Sequence, residues 1–164
     1  MNHINKKYPQ RKRTRLKEYD YSTTAYYFIT ICVNHWTSVF GSIHSESMTL
    51  NSYGKIIVKH LLSLNERFKS VEIDYYVIMP NHIHFFLILD SEENGTSISN
   101  IIGSFKSLTT VELHKSGLKE FKWQRSFYDR IIRNESELYN IRNYIDLNPL
   151  KWELEKNNPE NLDL

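Results

Sequence analysis

His82 and His84 stand one residue apart at the start of an apolar run, HIHFFLIL (His82 to Leu89). Side chains alternate along a strand, so His82, His84 and Phe86 share one face while Ile83, Phe85 and Leu87 share the other. The two imidazoles then lie about 7 Å apart along the strand. That spacing lets both rings converge on one divalent cation and leaves positions open for a substrate oxygen. Two histidines fall below the usual ligand count of a protein metal site, and taken alone the pair reads first as satisfied core or surface histidines. A third ligand is required. Tyr144 and Asn148 are four residues apart, which on a helix puts them on one face, separated by roughly 6 Å of rise. Asn148 offers an amide oxygen, a hard ligand, and Tyr144 a phenol beside it. Two nitrogens, one oxygen and a nucleophile would suit a Mg²⁺- or Mn²⁺-assisted attack on a phosphodiester. A phenol, with a reference pKa of about 10, is mostly protonated at neutral pH, so such an attack needs a polarised phosphate or a base. The plainer alternative makes Tyr144 one of 11 tyrosines, packed beside Ile141 and Ile145, with Asn148 ending a helix before Pro149. On the residues alone, packing is the simpler reading.

The elements that must position these residues follow from periodicity. Ala25 to Val33 (AYYFITICV) is aromatic and β-branched and predicts a buried strand. Thr37 to Phe40, with Gly41 behind it, suggests a short pairing strand or bulge. Tyr53, Ile57, His60 or Leu61, Leu64 and Phe68 recur at helical spacing behind the N-cap candidates Asn51 and Ser52, which predicts a helix over about Ser52 to Phe68. Ile73 to Met79 and His82 to Leu89 are two more strands, joined by the turn dipeptide Pro80-Asn81. A second helix runs from Ser97 to about His114, stopped by Gly117. Trp123 to Ile132 holds a last strand. Asn134 with Glu137 three residues on marks the start of a final helix that Pro149 ends. This order is the split βαβ pattern with an appended helix, an α+β, ferredoxin-like antiparallel sheet with helices on one face and the Tyr144 helix at the C-terminus.

The 164 residues suit one domain, and 40% apolar with 13% aromatic residues can fill a core. A basic N-terminal arm (1–18), a single domain (19–152) and a polar C-terminal tail (153–164) are the expected divisions. A lone Cys32 closes no intrachain disulfide, an apolar run of five residues (Phe85 to Leu89) is too short for a bilayer, and no signal peptide is visible. A cytoplasmic protein with no membrane partner is expected. Charge is unevenly spread: Lys6, Lys7, Arg11, Lys12, Arg13, Arg15 and Lys17 face only Glu18, leaving 14 basic and 18 acidic residues elsewhere. Such an arm either grips nucleic-acid phosphates, releasing condensed counterions, or is a solvated tail.

Four segments in order, RLKEYDYSTTAYYFITICV (Arg15 to Val33), MPNHIHFFLIL (Met79 to Leu89), WQRSFYDRIIRN (Trp123 to Asn134) and YIDLNPLKW (Tyr144 to Trp152), resemble the single-tyrosine HUH transposases. Within that superfamily they are similar to the REP-associated tyrosine transposases, relatives of the IS200/IS605 transposases. The resemblance spans most of the chain. It implies a ferredoxin-like sheet carrying the HUH pair on a central strand, and single-strand DNA cleavage and joining through a 5′-phosphotyrosine with a free 3′-hydroxyl. Position by position, His82 and His84 match the HUH histidines, Tyr144 the nucleophile, and Asn148 the polar residue that completes a Mg²⁺ or Mn²⁺ site. The implied partner is single-stranded or hairpin DNA, and a monomer and a homodimer both remain open. A domesticated hairpin-DNA binder without turnover is the alternative within this fold. A zinc-stabilised structural domain is disfavoured because no Cys lies near the histidines.

Weaker candidates for DNA contact are Lys106, placed to flank the site, and Arg125, Arg130 and Arg133, which with Lys122 and Trp123 make a basic and aromatic cluster. Trp123, Phe127 and Tyr128 read equally as core, and core is expected for at least two of them. His35, His44, His60 and His114 have no partner at ligand spacing.

Overall fold

The computed structural model describes residues 25–90 and 96–154. The arm and all but two residues of the tail therefore lie outside the described residues. Four strands form the main sheet: β1 (Ala25–Cys32), β4 (Val71–Ile78), β5 (His82–Leu89) and β6 (Tyr128–Ile132), ordered β4-β5-β1-β6 with every neighbouring pair antiparallel. This is the expected ferredoxin-like order. Helix α1 (Ser52–Leu62), the short α2 (Leu64–Arg67) and α3 (Ile98–Lys115) accompany the sheet, and α4 (Glu135–Asp146) and α5 (Asn148–Leu154) follow β6.

Two apolar clusters sandwich the sheet. Tyr27, Ile29 and Ile31 of β1 and Ile83, Phe85 and Leu87 of β5 pack with Ile57 and Leu61 of α1 and Ile101, Ile102 and Phe105 of α3. Phe28 and Phe86 face the other way, against Ile141 and Ile145 of α4. Because β5 is central and covered on both faces, nearly all of its residues are buried, which is why its sequence reads as an almost continuous apolar run.

Helix α4 is also tied to β4. The β4–β5 register shifts between Ile73 and Tyr76. Successive strand residues normally point to opposite faces, and the bulge lets both Asp74 and Tyr75 reach α4. Tyr75 donates to Asp146 and Arg142 donates to Asp74. At its start α4 is capped as the sequence predicts, with Asn134 Oδ1 accepting from Glu137 N at 2.8 Å. Glu137 reaches back to Arg133 N at 2.9 Å, one residue earlier than a capping box requires.

Several boundaries differ from expectation. Residues 37–40 form no strand, because Val39 N and Phe40 N donate instead to Pro80 O. Pairing starts at Gly41, in a separate hairpin of β2 (Gly41–His44) and β3 (Ser47–Leu50). Gly41 sits at φ +145°, and a Cβ there would come within 2.1 Å of Thr49 O. The hairpin turn is Ser45-Glu46, both at positive φ, and it lacks the Asn-Gly signature that would have revealed it. The expected Ser52 to Phe68 helix breaks at Ser63, whose hydroxyl bonds the His60 carbonyl at 2.9 Å. Residues 123–127 join no strand beyond a bridge from Trp123 to Val33, because Lys106 holds the carbonyls of Gln124 and Ser126 at 2.8 and 2.9 Å. Pro149 does not end the helical chain: α4 stops at Asp146, and Pro149 occupies the first turn of α5, where its missing N–H costs no hydrogen bond. No helix among the described residues is long and apolar enough to cross a membrane.

Candidate active site

His82 and His84 lie on the α4 face of β5, as alternation predicts, with ring centroids 4.6 Å apart at 73°. Both are buried. His84 stands opposite Thr30 of β1 in the sheet register, and its Nδ1 is 2.7 Å from Thr30 Oγ1. Phe28 stacks on the same ring at 5.3 Å. The other ring nitrogen, His84 Nε2, is buried with no hydrogen-bond partner. His82 Nδ1 is 2.7 Å from Asn81 Oδ1, and Asn148 hydrogen-bonds the His82 side chain.

Burial disfavours the charged imidazolium. It pushes His82 down to about 4 against an opposing hydrogen bond to Asn148, and holds His84 well below the usual histidine range, with His82 reinforcing the effect. Both rings are therefore neutral at pH 7 and carry a lone pair each, the state a metal ligand requires.

Tyr144 projects from α4 onto this pair. Its ring lies 5.4 Å from that of His84 and meets Phe28 edge-on at 6.2 Å. Lys151 Nζ sits 4.8 Å from the centre of the Tyr144 ring. Asn148, the first residue of α5, is buried beside His82. The four residues singled out by spacing thus converge, although Tyr144 and Asn148 belong to two successive helices rather than one. The donor set fits a divalent cation: two neutral imidazoles, one with an orphaned buried Nε2, and an amide able to present an oxygen. No group of three His, Cys, Asp or Glu is found among the described residues, so a cation here would rely on Asn148 and on substrate or water oxygens.

Two indoles border the site, Trp36 at 6.4 Å and Trp152 at 5.8 Å from the His82 ring. Trp36 and its neighbour His35 have φ of 54° and 55°. Left-handed backbone costs about 1–3 kcal/mol at a bulky non-glycine residue and persists only where surrounding contacts hold it. Asn81 Nδ2 donates to Trp36 O at 2.9 Å and is one such contact.

The remaining candidates are scattered. Lys106 directs its ammonium to the carbonyls of residues 124–126 and lies 5.7 Å from the Phe127 ring centre, which makes it a clamp on the segment entering β6. Arg130 pairs with Glu137 at 2.7 Å and so buttresses the start of α4. Arg125 and Arg133 are exposed. Lys6, Lys7, Arg11, Lys12, Arg13, Arg15 and Lys17 lie outside the described residues. Phe127 is buried and Trp123 packs against the main core, as expected for two of the three aromatics there. Sequence reasoning overlooked Thr30, Asn81, Trp36, Lys151 and Trp152 as site residues. Only Asn81, adjacent to His82, and Lys151 and Trp152, just beyond Asn148, carried a signal by proximity.

The antiparallel ferredoxin-like sheet thus presents two histidines of a central strand to a tyrosine on a C-terminal helix. The chain belongs to the family described as "Transposase IS200 like", whose pattern it matches over residues 22–148. It is 33% identical over 162 residues to a Haemophilus influenzae protein described as uncharacterized, covering 87% of this chain and 90% of that one. It is 26% identical over 95 residues to the REP-associated tyrosine transposase of Escherichia coli K12, covering 58% of this chain and about half (54%) of that protein. Its fold is similar to that of a REP-associated tyrosine transposase solved bound to a REP hairpin, with a TM-score of 0.63 and 22% identity over 84% of this chain and 73% of the other.

Proposed function

We propose that this transposase nicks and rejoins single-stranded DNA at hairpins, with Tyr144 as nucleophile. The observation that carries the reading is the Tyr144 ring 5.4 Å from a buried, neutral His84 whose Nε2 has no partner. The relative solved on a REP hairpin supports hairpin DNA as the substrate class. His82, His84 and Asn148 would hold Mg²⁺ or Mn²⁺, which when bound polarises the scissile phosphate.

The chain's own groups do the rest. Tyr144 Oη attacks phosphorus and forms the Tyr–O–P bond while the P–O3′ bond breaks. The phenolic proton passes to solvent, and the departing 3′ oxygen takes a proton from solvent to leave a free 3′-hydroxyl. Attack by a 3′-hydroxyl on the phosphotyrosine reverses these bonds and releases Tyr144. Lys151, 4.8 Å from the Tyr144 ring centre, places positive charge beside the incoming phosphate. Phe28 and His84 hold the phenol's orientation through their edge contacts, which keeps the nucleophile near its line of attack. Tyr144 and both histidines come from one chain, so a monomer contains every group that this chemistry needs.

The test is a set of labelled single-stranded hairpins incubated with the protein and Mg²⁺ or Mn²⁺, resolved under denaturing conditions. A covalent protein-DNA adduct is expected from the native protein, and Tyr144→Phe should lose it while keeping fold and hairpin affinity. An adduct formed by Tyr144→Phe at the native rate would refute the assignment. Tight hairpin binding by the native protein with no adduct would favour a domesticated binder instead.

A further inference from the structure

We propose that Asn81 is a positioning residue, whose side-chain amide fixes the tautomer of His82 and so the ring nitrogen that His82 turns toward the site. The proposal rests on the metal-site reading above and deepens it. Asn81 is buried at the turn between β4 and β5. Its Nδ2 donates to Trp36 O at 2.9 Å, and because a carbonyl oxygen only accepts, this bond decides which end of the amide is which. The remaining end, Oδ1, lies 2.7 Å from His82 Nδ1. An amide oxygen also only accepts, so the proton of the bond belongs to Nδ1. A neutral imidazole carries a single ring proton, and Asn148 also hydrogen-bonds the His82 side chain. The Asn148 amide can turn its N–H to the ring, whereas Asn81 cannot because Trp36 O holds its Nδ2. The proton therefore stays on Nδ1, and Nε2 of His82 keeps its lone pair.

His84 has no equivalent relay. Its Nδ1 partner is the Thr30 hydroxyl, which can donate or accept, so that bond alone leaves the His84 tautomer undetermined. Asn81 is also held where an amide can do this work. Its carbonyl accepts from Val33 N at 2.8 Å, the preceding Pro80 carbonyl accepts from Val39 N and Phe40 N at 2.8 and 3.1 Å, and Met79 N donates to His82 O at 2.8 Å. The acceptor for Nδ2 is the carbonyl of Trp36, a residue in left-handed backbone whose indole lies edge-on to His82. One amide therefore joins the strained turn to the His82 ring.

Long-range ¹H–¹⁵N correlation spectra of the metal-free protein read the tautomer directly, and titration with Mn²⁺ alone, followed by electron paramagnetic resonance, reads ligand quality without any turnover. Native His82 is expected to be protonated at Nδ1. Asn81→Leu, similar in shape but unable to hydrogen-bond, should populate both tautomers and weaken Mn²⁺ binding about 10- to 100-fold, the usual cost of losing a partner that orients a ligand. Asn81→Asp keeps the acceptor and should keep the Nδ1–H tautomer. Native His82 found protonated at Nε2 would overturn the proposal and needs no variant to fold. Unchanged tautomer and Mn²⁺ affinity in Asn81→Leu would overturn it as well, while leaving the metal reading intact. Nδ1 protonation in a native protein that binds no Mn²⁺ would support the tautomer assignment and overturn the metal reading instead.

Discussion

Thr30→Val offers a clean perturbation of the site. The two side chains are nearly isosteric, Thr30 is 2% exposed and its partner His84 is fully buried, so the substitution removes one hydroxyl and little else. Leaving a buried polar group without its partner costs about 1–3 kcal/mol. The added methyl of Val recovers at most about 0.8 kcal/mol, the value of one buried methylene. With that recovery subtracted in full, the net expectation is a loss of about 0.2–2 kcal/mol. For a protein of this size each kcal/mol moves the melting temperature by about 2–4 °C, so the midpoint should fall by up to about 8 °C. Orientation of His84 should suffer more than stability, with Mn²⁺ affinity falling about 10- to 100-fold. Thr30→Ser separates the two effects: it keeps the hydroxyl and should retain metal affinity while losing the packing of one methyl. Calorimetric melting of the three proteins, beside Mn²⁺ titration of each, makes the comparison. A Val variant that matches the native protein in both melting temperature and Mn²⁺ affinity would refute the argument.

Three further outcomes are expected. Replacing His82 and His84 together with Ala should abolish Mg²⁺- or Mn²⁺-dependent cleavage yet leave hairpin affinity within a few fold; chelator-resistant cleavage by the native protein would contradict this. Removing residues 1–17 should weaken hairpin binding and reduce the slope of log K against log salt by about 0.7–0.9 per lost phosphate contact, with equal slopes marking the arm as a solvated tail. Glu112, whose carboxyl is held below its ordinary value by hydrogen bonds from Lys59 and His60, should contribute less than about 1 kcal/mol because the group is partly exposed. A depressed carboxylate stabilises above its unfolded pKa and loses that contribution as pH falls through the lowered one, so native and Glu112→Gln stabilities should converge on acidification, as urea titrations at pH 7 and pH 3 would show.

What the chain's order of residues determined by itself is local. His82 to Leu89 reads as a strand to the residue, because a central strand covered on both faces is a dense apolar run bounded by turn residues. Asn134 and Glu137 announce α4, because a cap bonds within its own turn and leaves its mark in a four-residue window. The facing of His82 with His84 follows from the period of a strand. The assignment of those residues to chemistry was legible only through resemblance, since spacing alone favoured packing. Other features depended on distant partners and left no such mark. The Ser45-Glu46 turn takes positive φ without a glycine because Gly41 and Thr49 bring the β2 and β3 backbones together. Lys106 reads as a free cation until folding brings residues 124–126 to its ammonium, and Arg130 reads the same way until α4 presents Glu137. The bulge that turns Asp74 and Tyr75 together onto α4 exists only in the pairing of β4 with β5. Tyr144 meets His84 across 60 positions of sequence because Phe28 and Phe86 bury Ile141 and Ile145. Periodicity and capping act within a few residues and are written in the sequence, whereas apolar burial is non-directional and selects its partners only when the whole sheet is assembled.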